Sequence, residues 1–121
     1  MEEQLQEKAV LVGLNITTNV KKIDDIDINE SMAELKELVK AAGAEVLASV
    51  IQNKPARDAA YFIGKGKVEE IRDYCHMLGA TMIVFNDELS GAHMRNIEDV
   101  TGLKVIDRTA LILDIFAQRA L

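Results

Sequence analysis

Gly64-Lys65-Gly66-Lys67 is the first place where this sequence could do chemistry. Two glycines let the backbone come close to a ligand, and two lysines beside a predicted helix start favour an anion. The phosphate loop of nucleotide hydrolases needs a glycine, four residues, then Gly-Lys-Ser/Thr. Here Tyr61 stands five residues before Gly66, and Val68 replaces the hydroxyl that would hold Mg²⁺. The dinucleotide fingerprint fails as well, because Glu69 occupies the place of its third glycine and would face a pyrophosphate with a carboxylate. The segment therefore reads as a tight strand-to-helix turn with two cations at its mouth.

Other polar groups are weaker candidates. Asp99-Val100-Thr101-Gly102 and Asn53-Lys54-Pro55-Ala56 imitate guanine-nucleotide motifs, but the first falls at a helix end and the second lacks its aspartate. His76 and His93 lie on different predicted helices without the converging ligands that a metal requires. Cys75 is the only cysteine, so it forms no intrachain disulfide, and it sits on an apolar helical stripe as a small core residue. Asp87-Glu88 ends a strand, where such a pair either binds Mg²⁺ or solvates the loop before the next helix; the second reading is preferred. Asp107-Arg108 follows a strand and precedes the most apolar helix, so Asp107 can cap that helix while Arg108 pairs with a nearby carboxylate.

These residues depend on alternating strands and helices. Ala9–Ile16 is a nearly continuous apolar run, the signature of a strand buried on both faces. Residues 17–29 read as an acidic loop. Ser31-Met32-Ala33-Glu34 has the capping-box pattern of a helix start, and Met32, Leu35, Leu38, Val39 and Ala42 form its stripe up to Gly43. Glu45–Gln52 is a second strand. Tyr61–Gly64 reads as a brief third strand, reached without a helix, so a hairpin with one antiparallel edge is expected there. A helix from Gly66 or Lys67 runs to Leu78 and stops at Gly79. Thr81–Phe85 is a strand, Ser90 caps a helix carrying Met94, Ile97 and Val100 inward, and Arg95 lies on its outer face. Lys104–Ile106 is a last strand before the final helix. The order predicts an α/β fold: a small, mostly parallel sheet of four to five strands flanked by about four helices.

The chain has 121 residues, one domain's length, 49% hydrophobic and 28% charged. No run approaches the roughly 18 apolar residues of a membrane span, and the acidic start is no secretory signal. A formal net charge of −6 leaves no cationic surplus for nonspecific nucleic-acid binding, so any RNA contact is expected either to be local, on a few clustered lysines and arginines, or to be made by another part of the protein. The last helix is apolar most of the way round. Leu111, Ile115 and Phe116, with Arg119 as a polar exception able to fix register, are candidates for contact with another domain or a second copy of the chain.

Several segments together closely resemble the N-terminal domain of the HflX family of ribosome-associated GTPases. They are Tyr61-Phe62-Ile63-Gly64-Lys65-Gly66-Lys67-Val68-Glu69-Glu70-Ile71, Phe85-Asn86-Asp87-Glu88-Leu89-Ser90, Arg95-Asn96-Ile97-Glu98 and Val105-Ile106-Asp107-Arg108-Thr109-Ala110-Leu111-Ile112-Leu113-Asp114-Ile115-Phe116-Ala117-Gln118-Arg119-Ala120. The likeness is looser over Ala9–Ile51. Asn86 stands where the family usually has aspartate, and Gly91 where it often has proline. The resemblance implies one domain over residues 1–121, with 1–8 flexible, followed in the parent protein by a helical hairpin and a GTPase domain. It implies a cytoplasmic translation factor acting on the large ribosomal subunit, with GTP and Mg²⁺ expected for the full-length parent and no catalytic residue or cofactor in this chain. Lys65, Lys67 and Arg95 are the candidate RNA contacts. Two alternatives stay open: a stand-alone nucleotide-binding α/β domain, and a scaffold that homodimerises through the apolar last helix.

Overall fold

A computed structural model describes residues 6–18 and 27–119, without the side chains of Phe116, Gln118 and Arg119. The elements are β1 (Lys8–Ile16), α1 (Ile28–Ala41), β2 (Glu45–Lys54), α2 (Lys65–Leu78), β3 (Met82–Phe85), α3 (Gly91–Thr101), β4 (Lys104–Asp107) and α4 (Arg108–Arg119). The four strands form one sheet in the order β2-β1-β3-β4, and every pair is parallel. Lys8, which the sequence assigns to a flexible start, is the first residue of β1 and pairs with Glu45.

Alternation along β1 divides the core. Ala9 and Leu11 face α1 and α4, packing with Leu35, Val39, Val84 and Leu111. Val10, Val12 and Leu14 face α2 and α3, packing with Phe62, Ile71, Cys75 and Ile97. The central strands are therefore covered on both faces, which explains their continuous apolar runs. Fully burying one of these branched side chains contributes about 1.5–3 kcal/mol.

Two expectations are corrected. Tyr61–Gly64 is not a strand, and no antiparallel edge exists among the described residues. The Asp58 carboxylate accepts the amides of Ala60 and Tyr61 at 3.0 and 2.8 Å, and Phe62 turns to a φ of 65°. Its one described β-bridge joins Phe62 to Asp58 just upstream rather than to a strand of the sheet. The second correction concerns α1, which begins at Ile28 rather than Ser31, so residues 28–29 are helical instead of loop. Asp27 supplies the cap by accepting the Asn29 amide at 2.7 Å. An acceptor one turn earlier takes the capping role and leaves the Ser31 hydroxyl for other partners. Residues 19–26 of the expected acidic loop lie outside the described residues.

Helix ends follow the sequence more closely. Gly43, Gly79 and Gly102 adopt φ of 93°, 76° and 71° just beyond α1, α2 and α3, where a side chain would be strained. Ser90 caps α3, accepting the His93 amide at 3.1 Å, while His93 returns a ring nitrogen to the Ser90 amide.

Candidate functional site

The parallel sheet puts all strand carboxyl ends on one edge. The winding reverses between β1 and β3, the place where open α/β sheets usually leave a ligand crevice. Here Arg108 bridges the α1 side of that place, while a cavity lined by Arg57, Phe62, Asp87, Ser90 and His93 remains on the α3 side. Arg108 Nη2 donates to Asn86 Oδ1 at 2.7 Å and to the Ser31 carbonyl at 2.7 Å, while its Nη1 lies 3.7 Å from Glu34. Asn86 Nδ2 donates to Ser31 Oγ at 2.9 Å, closing the network. Arg108 thus finds the expected carboxylate, plus partners on α1 and β3 that the sequence did not indicate. An aspartate at position 86 would still face Arg108 but could not donate to Ser31.

Asp107 is 3% exposed and spans two elements. Its Oδ1 accepts the Ala110 amide at 2.9 Å, capping α4, and its Oδ2 accepts the Leu89 amide at 2.9 Å. Its neighbour in the crevice is less well served. Asp87 Oδ2 is buried without a hydrogen-bond partner. Burial pushes the Asp87 carboxyl above its ordinary pKa, opposed by the Leu14 amide and by the charges of Arg57 and Arg108. Of the pair read as solvating the loop, only Glu88 is exposed. Among the described residues no group of three or more His, Cys, Asp or Glu could hold a metal. His93 instead contacts the Ala59 carbonyl through Nε2 at 3.0 Å and the Phe62 ring edge-on at 5.6 Å. Since Nδ1 accepts from Ser90, these contacts select the Nε2-protonated tautomer. Cys75 is buried, and desolvation pushes its thiol up to about 11.

The start of α2 is the basic feature of this edge. Gly64 occupies the cap position with no side-chain cap, and the first turn holds no acidic residue. Gly64 instead donates its own amide to Gln52 Oε1 at 2.9 Å, tying the helix start to β2. Lys65 is exposed, and Lys67 is half-buried, with Nζ 3.1 Å from Glu70 Oε2. Lys54 joins them from the end of β2: its Nζ lies 3.8 Å from where a Cβ on Gly64 would stand. Lys65 begins a helix whose first amides lack a side-chain cap, Lys54 lies beside Gly64 and Lys67 is paired with Glu70, so the local cation surplus rests on Lys54 and Lys65 in a domain of net negative charge. The sequence presents Lys54 only as part of an accidental guanine motif; a ten-residue loop separates it from Lys65, so no local pattern announces the pairing. Arg95 is exposed on α3 and shares no described contact with the lysines.

On α4, Leu111 is 1% exposed and belongs to this domain's own core, and Ile115 is half-buried against that core. Leu113, absent from the sequence-based candidates, is 64% exposed. The side chains of Phe116 and Arg119 lie outside the described residues.

The fold and its edge define a doubly wound α/β module in which Arg108 bridges one side of the strand-end crevice and the start of α2 lacks a side-chain cap. Residues 29–117 match the family described as GTP-binding GTPase N-terminal. The chain belongs to the HflX family, as its N-terminal domain. It is 43% identical over 115 residues to the GTPase HflX of Caldanaerobacter subterraneus subsp. tengcongensis, covering 95% of this chain and 25% of that protein. It is 42% identical over 114 residues to the GTPase HflX of Escherichia coli K12, covering 94% of this chain and 25% of that protein. The chain thus spans about a quarter of the length of these relatives. A GTP-binding protein from Sulfolobus solfataricus, solved in complex with GDP, superposes with a TM-score of 0.63 at 21% identity, covering 93% of this chain and 30% of that one. At that identity the likeness speaks for the fold alone. No helix among the described residues is long and apolar enough to cross a membrane.

Proposed function

We propose that this domain is the docking and regulatory module of an HflX-type GTPase that acts on the large ribosomal subunit in the cytoplasm. GTP and Mg²⁺ are bound by the GTPase domain of the parent protein, and this domain supplies RNA contact and control. The observation that supports this reading best is the uncapped α2 start, with Lys54 beside Gly64 and Lys65 and Lys67 in the first turn. Helix amides and lysines together suit backbone phosphates, which need local positive potential and no base-reading pocket. The Gly64-Lys65-Gly66-Lys67 turn, with Tyr61 and Val68 at two essential positions of a phosphate loop, speaks against the stand-alone nucleotide-binding alternative. The exposed face of α4 around Leu113 is where the following helical and GTPase domains pack; in the isolated chain the same face can pair two copies. Cosedimentation with purified ribosomal subunits tests the reading. The chain should pellet with large subunits and stay in the supernatant with small ones. Equal recovery with both, or with neither, would contradict it.

A further inference from the structure

We propose that the free edge of β2 pairs with the same edge of a second copy of this chain, antiparallel about a two-fold axis near Ser49, joining two four-stranded sheets into one. This goes beyond the RNA-contact reading and does not depend on it. β2 ends the sheet order, with only β1 beside it among the described residues. Outside that ladder, its described backbone bonds are those at its two ends, to Glu7 and Thr17, which continue β1 on the same side. A strand paired on one side points alternate N–H and C=O groups outward, a template for another strand. At ten residues β2 is the longest strand, whereas the opposite edge, β4, has four. Charges, prolines, bulges or shortness normally protect such an edge. Residues 46–53, Val-Leu-Ala-Ser-Val-Ile-Gln-Asn, hold no charge, proline or glycine. The one irregularity lies near the start of β2, where Val46 and Ala48 pair with the consecutive Ala9 and Val10, so 48–54 remain a regular run.

Charge and symmetry select the occupant. The charged residues of β2 are Glu45 and Lys54, opposite in sign and at opposite ends. A two-fold axis perpendicular to the sheet makes the pairing antiparallel and brings Glu45 of each copy toward Lys54 of the other. A parallel pairing of the same strands would set like charges side by side, which is unfavourable. The flank of the edge is self-complementary as well. A groove between β2 and α2 is lined by Val50, Lys67, Glu70, Ile71 and Tyr74. Lys67 lies near the carboxyl end of β2, where the Gly64 amide bonds Gln52, and Tyr74 lies further along α2, toward the turn that returns to the start of β1. The two-fold rotation therefore turns the Lys67 end of one groove toward the Tyr74 end of the other. Tyr74, 38% exposed, and half-buried Val50 then lose apolar surface to water, and the stem of Lys67 meets an aromatic ring.

Sedimentation of the 121-residue chain from low to high concentration tests this. The mean mass should rise from 13.4 kDa toward twice that value. Ser49 is exposed, so replacing it spares the fold. Ser49→Lys and Ser49→Glu, each alone, set like charges against each other at the axis and should raise the dissociation constant about tenfold or more. An equimolar mixture of the two variants sets opposite charges there and should associate within about threefold of the native chain. A mass fixed at 13.4 kDa at every concentration would overturn the proposal. A native dimer that Ser49→Lys leaves intact would overturn it too, because the pairing would then run through another face, such as α4. So would a mixture that associates no more tightly than either variant alone. None of these results bears on the α2 start, so the RNA-contact reading stands or falls separately.

Discussion

Replacing Asp107 with alanine should be among the most damaging single polar changes in this domain. The carboxylate is 3% exposed and accepts two amides, Leu89 and Ala110, each at 2.9 Å. Losing a helix cap costs about 0.5–2 kcal/mol. The Leu89 amide, on a residue only 5% exposed, is then left unsatisfied, at about 1–3 kcal/mol. Release of a buried charge offsets part of this, so a net loss of about 2–4 kcal/mol is expected. For a domain of this size that corresponds to a fall in Tm of about 8–15 °C. Asp107→Asn should also be destabilising, by about half as much or more, because its NH₂ group must face one of the two amide donors. Glu88→Ala, on the exposed neighbouring loop, should stay within about 0.5 kcal/mol of the native protein. Urea denaturation followed by circular dichroism measures all three, with the midpoint moving and the slope unchanged. A native-like midpoint for Asp107→Ala would refute the claim that one carboxylate fastens both α4 and the loop before α3.

Two further outcomes follow from the same edge and core. Asp87→Asn should raise stability at neutral pH. Burial lifts the folded-state pKa of Asp87 above the ordinary value of 3.8, so the native state holds its proton longer than the unfolded chain does. Native stability therefore falls as pH rises through that window, and the advantage of the D87N variant should be largest at neutral pH and vanish below the ordinary carboxylate range. An advantage that grew on acidification would contradict it. Cys75, with a thiol pushed up to about 11 by burial, should react with an aromatic disulfide about 100-fold or more slowly in the folded chain than in denaturant; comparable rates would show that the thiol is accessible.

The parallel α/β order was legible because β1 and β3 are buried on both faces and so lack polar alternation, while the stripes of α1 to α3 and their terminal glycines mark helices. Local patterns misled where two of them competed or where a partner was needed. Ser31 carries a capping-box sequence, yet Asp27 lies one turn earlier and takes the role. Tyr61 to Ile63 have strand-forming side chains, but a strand exists only beside a neighbour, and Asp58 turns the chain back first. The candidate site was half visible. Lys65 and Lys67 stand next to the glycines that drew attention to them, whereas Lys54 and Gln52 reach the same spot from β2. Likewise Arg108 invited a carboxylate partner, while Ser31 and Asn86, far apart in the chain, meet it only through the sheet.

The functional reading of this HflX N-terminal module stands on RNA contact at the start of α2. The affinity of the chain for purified large ribosomal subunits across a salt series, native against Lys65→Glu/Lys67→Glu, decides it. Two lost phosphate contacts should weaken binding at low salt and reduce the log–log salt slope by about 1.5. Identical affinity and identical slope for the two proteins would contradict an RNA contact at that helix start.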